Sequence, residues 1–141
     1  MDSIRWKQRY NNFSNTLQIL VQNFHSNLLE DFSELEQIGL AKSFELCFEL
    51  LWKLLKDYME HESVEIGLLS PNNVLKAAAS CGLLQQMDVD GDVLMAAHKA
   101  RNALVHVYSR DIFVSTLSDV EKYYLPEFNK VGVYFAWKQS E

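Results

Sequence analysis

Apolar side chains recur every three or four residues along almost the whole chain. Trp6, Tyr10, Phe13, Leu17, Leu20 and Phe24 step by four and by three, which predicts a bundle helix from about Ile4 to Leu28. Ser33, Leu35 and Glu36 then have the form of a capping box: a serine closes the free amides and a glutamate three residues later reaches back. The second predicted helix starts there and runs to about Glu60. Phe44, Phe48, Leu51, Leu55 and Tyr58 form one stripe on it, and Leu46, Leu50 and Leu54 a second, about 160–200° away at 100° per residue. A helix apolar on two sides is either central in a bundle or used in an interface. Glu49 and Lys53 read as an exposed pair in the favourable order, worth a few tenths of a kcal/mol.

Gly67 to Ser70 reads as a loop, and Ser70-Pro71 as the start of a short third helix that Cys81-Gly82 stops, with Gly82 left-handed. The acidic run Asp88 to Asp92 lacks the glycine position and terminal glutamate of a calcium loop and reads as a helix-capping turn. A fourth helix is expected from about Asp92 to Tyr108. Asp111 is a candidate cap for a fifth, which carries Leu117, Val120, Tyr124, Phe128, Val131 and Phe135, with Pro126 expected to kink or split it. The expectation is an all-α antiparallel, up-and-down bundle of about five helices, in one domain spanning residues 1–141.

Composition agrees. A chain of 141 residues suits one core, and only 5 Gly and 2 Pro leave little room for a turn-rich β fold. No apolar run approaches the ~20 residues of a membrane span, and the opening MDSIRWKQRY lacks the apolar block of a secretory signal. A cytoplasmic protein without membrane contact is expected. Cys47 and Cys81 sit in apolar stretches without metal-ligand spacing, and read as buried free thiols. A net charge of -6 argues against a broad nucleic-acid-binding face but leaves room for a small basic cleft.

The fourth helix carries the candidate chemistry. On a wheel, Val93, Ala96, Ala97, Ala100, Ala103, Leu104 and Val107 fall within about 120°, the expected core face. The other side holds His98, Arg101, Asn102, His106 and Tyr108, with Leu94, Met95 and Val105 among them. Two readings stand: an ordinary amphipathic face, or a cleft beside a wet interface. Arg101 and His106 differ by about 140° in direction and about 7.5 Å along the axis, so one helix does not clamp one phosphate between them; two copies related by a two-fold axis could.

The segment RNALVHVY, Arg101 to Tyr108, has the form Arg-x4-His-x-Tyr and resembles the signature of HEPN proteins. FELCFELLWKLLKDYME (Phe44 to Glu60), RWKQRYNNF and SPNNVLKAAASCGLL resemble one HEPN branch, the nucleotidyltransferase substrate-binding proteins. The resemblance extends from about Arg5 to Pro126. It implies a dimeric antiparallel bundle and a separate small nucleotidyltransferase as partner, in a toxin–antitoxin-type pair. It further implies Arg101 and His106 as a metal-independent ribonuclease pair acting on RNA, Asn102 as the motif's polar residue, and Tyr108 as the target of silencing AMP addition. No metal or cofactor is expected.

The chemistry has its own logic. Histidine titrates near neutral pH and can move the proton of a 2′-hydroxyl, and arginine stays charged and can hold phosphate oxygens in bidentate fashion. Asn102, one turn from His106, could orient its ring. The alternatives are a non-catalytic subunit that binds nucleotide or substrate for the nucleotidyltransferase, and a plain dimerisation module. His98, one turn before Asn102, either borders the cleft or is structural. His25 and His61 read as surface residues, and Trp6, Trp52 and Trp137 as core or interface anchors. Glu45 and Glu49 read as a solvated face rather than a metal site. There is no Gly-rich phosphate loop and no Ser nucleophile motif.

Overall fold

The structure, a computed structural model, describes residues 2–106 and 109–141. Helix α1 (Asp2–Ser26) leads through a 3-10 turn (Leu29–Asp31) into α2 (Glu34–His61). There follow α3 (Pro71–Ser80), α4 (Leu83–Met87), α5 (Gly91–Leu104), α6 (Arg110–Asp119), a π-helical turn (Val120–Tyr124) and α7 (Leu125–Gln139). The described residues contain helices and no strand, so the all-α bundle expected from the periodicity is what forms.

The local reasons are visible at the helix ends. Ser33 Oγ accepts from the Glu36 amide at 3.1 Å, and Glu36 Oε1 accepts from the Ser33 amide at 2.8 Å, so the capping box satisfies two free donors at once. Those hydrogen bonds hold the Glu36 carboxyl below its usual range. Ser70 caps α3 through the Asn73 amide with Pro71 in the first turn. Gly82 has φ +87, the left-handed stop anticipated at that residue. It also opens α4, a helix too short for the apolar periodicity to mark, with Leu83, Leu84 and Met87 buried. Asp90 caps α5 through the Asp92 amide. The cap of α6 is Ser109 rather than Asp111: its Oγ faces the Ile112 amide, and Asp111 lies in the first turn, where its charge suits the helix dipole. The expected break at Pro126 occurs as the π-helical turn just before it, because proline has no amide to donate back along the helix.

Helix α2 is central. Trp6 meets Tyr58 edge-on at 5.3 Å and Arg9 bonds Asp57, which sets α1 antiparallel to α2. Phe44 stacks on Phe128 at 5.8 Å, and Tyr58 meets Phe135 at 5.1 Å, so α7 runs alongside α2. Phe13, Phe44, Phe48, Phe128 and Phe135 are fully buried and form the middle of one continuous core. Of the second stripe on α2, Leu54 is buried, Leu50 is half-buried and Leu46 is exposed. Cys47 is buried and its thiol is pushed up by burial, but Cys81 is exposed, contrary to expectation, because it lies past the end of α3 at the protein surface. No helix among the described residues is long and apolar enough to cross a membrane.

Three buried polar groups tie elements together. Gln37 donates to the Leu29 carbonyl at 3.1 Å and accepts from Arg110, joining the 3-10 turn to the start of α6. Glu127 accepts from the Asp90 amide at 2.7 Å and so fixes the start of α5 against α7. Asp57 accepts from Arg9 Nε at 3.0 Å and from Lys56 at 3.1 Å. Arg9→Met is expected to cost about 2 kcal/mol, since it strips a charge-assisted hydrogen bond from a buried carboxylate; urea unfolding checks this through its midpoint.

Candidate functional site

Helix α5 ends at Leu104, earlier than the periodicity predicts, and His106 lies in the turn beyond it. The His106 amide donates to the Ala103 carbonyl at 2.9 Å, and the residue is exposed. Tyr108, the expected modification target, and Val107, placed on the expected core face, lie outside the described residues.

The buried residues of α5 are Leu94, Ala97, Ala100 and Leu104. The core face is therefore turned by about 60° from the one expected, at 100° per residue. Leu94, expected on the open side, is fully buried, whereas Ala103 is exposed. A leucine gains several times more from burial than an alanine, so Leu94 outvotes Ala103 in setting the rotation. The turn brings Arg101 and His98 to the flank that faces α2, not to the side opposite the core.

Arg101 is accordingly half-buried. Its Nη2 lies 3.4 Å from Glu49 Oε2 on α2, and its Nη1 donates to Asn102 Oδ1 at 3.1 Å. Its Nε–H is buried with no acceptor among the described residues.

Glu49, read from sequence as part of a solvated face, is a hub. It accepts from the Trp52 indole N–H at 3.0 Å and pairs with Lys53 at 3.3 Å as well as with Arg101. Burial raises its affinity for a proton, but the hydrogen bonds from Trp52 and Lys53 and the charges of Lys53 and Arg101 outweigh burial and hold the carboxyl below its usual range. Trp52 is half-buried, in keeping with an anchoring role.

His98 is held on three sides. Its ring stacks on Phe48 at 5.3 Å with 9° between planes. Nδ1 lies 3.1 Å from Asn72 Oδ1 on α3, and Nε2 lies 3.3 Å from Asn102 Nδ2. Burial and the Arg101 charge lower its pKa, and Glu49 opposes them only in part. The unfolded chain therefore takes up this proton first as pH falls. The contribution to stability is complete above the ordinary histidine value of ~6.5 and is lost as pH falls through it towards the lower folded value. Urea midpoints at pH 7.5 and 5.5 should accordingly converge in His98→Gln relative to the unaltered chain.

Of the residues singled out from sequence, the structure joins Arg101, Asn102 and His98. Among the described residues no hydrogen bond links the His106 side chain to any of them. Glu49, Phe48 and Asn72 complete the site. They were not foreseen, because their role depends on which faces of α2 and α3 meet α5, and local spacing does not carry that information. The remaining candidates lie elsewhere: His25 and His61 are exposed at the ends of α1 and α2, Trp6 is buried and Trp137 is half-exposed on α7.

The bundle thus brings an arginine, a polar neighbour and a histidine (Arg101, Asn102 and His98) together on one flank of α5. The sequence profile described as nucleotidyltransferase substrate binding protein like matches residues 8–133 of the 141. The chain belongs to that family, as the resemblance implied. No curated protein matches it.

Proposed function

We propose that this chain is the HEPN-type partner of a small nucleotidyltransferase and a metal-independent endoribonuclease, with Arg101 holding the scissile phosphate and His106 moving the proton. The observation that carries the reading is Arg101 itself: a half-buried guanidinium held between Glu49 and Asn102, inside the segment that the family match spans. The chemistry is balanced without a cofactor. An imidazole takes the proton of the 2′-hydroxyl, the 2′-oxygen attacks phosphorus, and the 5′-oxygen leaves with a proton, producing a 2′,3′-cyclic phosphate. The guanidinium stabilises the charge that builds on the phosphate.

Within one chain His106 sits in the turn past α5 and Arg101 faces α2, so a second copy of the chain supplies the complementary group. Val105, inside the motif, and Ile112, beyond it, are 58% and 57% exposed, and suit burial in a homodimer. Addition of AMP to the Tyr108 hydroxyl by the nucleotidyltransferase, with release of pyrophosphate, adds negative charge and bulk two residues along the chain from His106 and silences the ribonuclease, in the manner of an antitoxin.

A second reading has its own support. Glu49 already engages Arg101, and the whole chain carries a net charge of -6, which suits a subunit that holds nucleotide or substrate for the nucleotidyltransferase better than it suits an RNA enzyme. Incubation of the purified chain with single-stranded RNA in EDTA separates the two. Cleavage to cyclic-phosphate ends supports the ribonuclease. Intact RNA, together with a stable complex that changes the substrates of the co-expressed nucleotidyltransferase, supports the binding subunit.

A further inference from the structure

Arg101, Asn102, His98 and Asn72 form a chain of side chains in which every donor points the same way. Arginine can only donate, so the Asn102 oxygen, 3.1 Å from Nη1, faces it. The Asn102 amide nitrogen must then face His98 Nε2, at 3.3 Å, and donate to it. Nε2 is therefore bare, the ring proton sits on Nδ1, and Nδ1–H donates to Asn72 Oδ1 at 3.1 Å. Stacking on Phe48 holds the ring plane so that both nitrogens stay in line.

We propose that His98 is a positioning residue for Arg101: neutral and protonated on Nδ1, it locks the Asn102 carboxamide with its oxygen toward the guanidinium. The inference rests on the reading of Arg101 as the phosphate-binding cation. Its physical content is the difference between the two partners of that arginine. Glu49 neutralises the charge it holds, and Asn102 orients it without neutralising it. A proton on Nε2 turns that nitrogen into a donor facing an amide donor. Asn102 must then rotate, its NH2 group turns to the guanidinium, and Arg101 is left to Glu49 alone. Acidification therefore latches the arginine to a carboxylate and withdraws it from phosphate.

The charged groups around His98 fit this account. Helix α2 presents Glu49, with Lys53 paired behind it, and Phe48. Helix α3 presents the uncharged Asn72, with the exposed Lys76 one turn further on. Helix α5 itself presents Arg101 and Asn102.

The test is nitrogen-detected NMR of the full chain labelled at histidine, which reads which ring nitrogen is bare. At pH 7.5 His98 is expected with its proton on Nδ1. Arg101→Met frees the Asn102 amide to rotate, and the bare-nitrogen signal should spread over Nδ1 and Nε2. In Asn102→Asp the carboxylate accepts from Nε2–H, so the proton should move to Nε2 and persist to higher pH. A proton on Nε2 in the unaltered chain, or a tautomer ratio unmoved in both variants, overturns the proposal. The readout needs no RNA. The expected tautomers in a chain that leaves RNA intact remove the phosphate reading and keep the positioning chain; cleavage with the proton on Nε2 does the reverse.

Discussion

Alanine at His106 is expected to lower RNA cleavage by about 100- to 10,000-fold, the usual worth of a positioned acid or base. Arg101→Ala should fall in the same range, because the lost guanidinium leaves the charge of the attacked phosphate unopposed. Arg101→Lys should not restore activity. A lysine can pair with Glu49 as a point charge, but it cannot present two parallel N–H bonds to a phosphate while keeping Asn102 as a second partner. The His106 loss should come without a fold defect, since the residue is exposed in a turn. The thermal midpoint of His106→Ala within a few degrees of the unaltered chain, alongside lost cleavage, is the expected pair of results. Cleavage that survives both alanine substitutions would assign the reaction to other residues.

The largest expected loss of stability is at Phe128. Its ring is fully buried, stacks on Phe44 at 5.8 Å with 10° between planes, and meets Phe48 at 6.3 Å. Phe128→Ala removes that area from the core and leaves a cavity whose walls belong to α2 and α7, at an expected cost of about 3–5 kcal/mol. Domains of this size are stable by only about 5–15 kcal/mol, so the variant should lie close to its unfolding transition at 37 °C. Urea unfolding followed by circular dichroism measures the loss. Because Phe48 also stacks on His98, the damage should reach the Arg101 chain. Phe128→Leu, which keeps most of the volume, should recover much of the stability.

Features that depend on neighbours in sequence were readable before any coordinates. The capping box at Ser33, the serine–proline start at Ser70, the left-handed stop at Gly82 and the break at Pro126 all rest on backbone chemistry within four residues. The stripe from Phe44 to Tyr58 located the central helix for the same reason. What escaped was tertiary. The rotation of α5 is decided by Leu94 burying more area than Ala103, and that follows only once α2 and α3 are in place. The end of α5 at Leu104 moved His106 off the helix on which the wheel had put it. Glu49 illustrates the limit best. As the first member of a Glu-x3-Lys pair it looked like ordinary surface, and the pair does form at 3.3 Å. Its second role, holding Arg101 from 52 residues away in the chain, has no local signature.

If Arg101 of one copy and His106 of another act on the same RNA phosphate, two variants that are inactive alone should complement each other when mixed. Arg101→Ala and His106→Ala chains, unfolded and refolded together in equal amounts, form mixed dimers in half of all pairings, each with one intact composite site. Cleavage should return to about a quarter of the unaltered level, as expected for random pairing in a two-fold dimer. A mixture as inactive as either variant alone, beside an active unaltered chain, would contradict it.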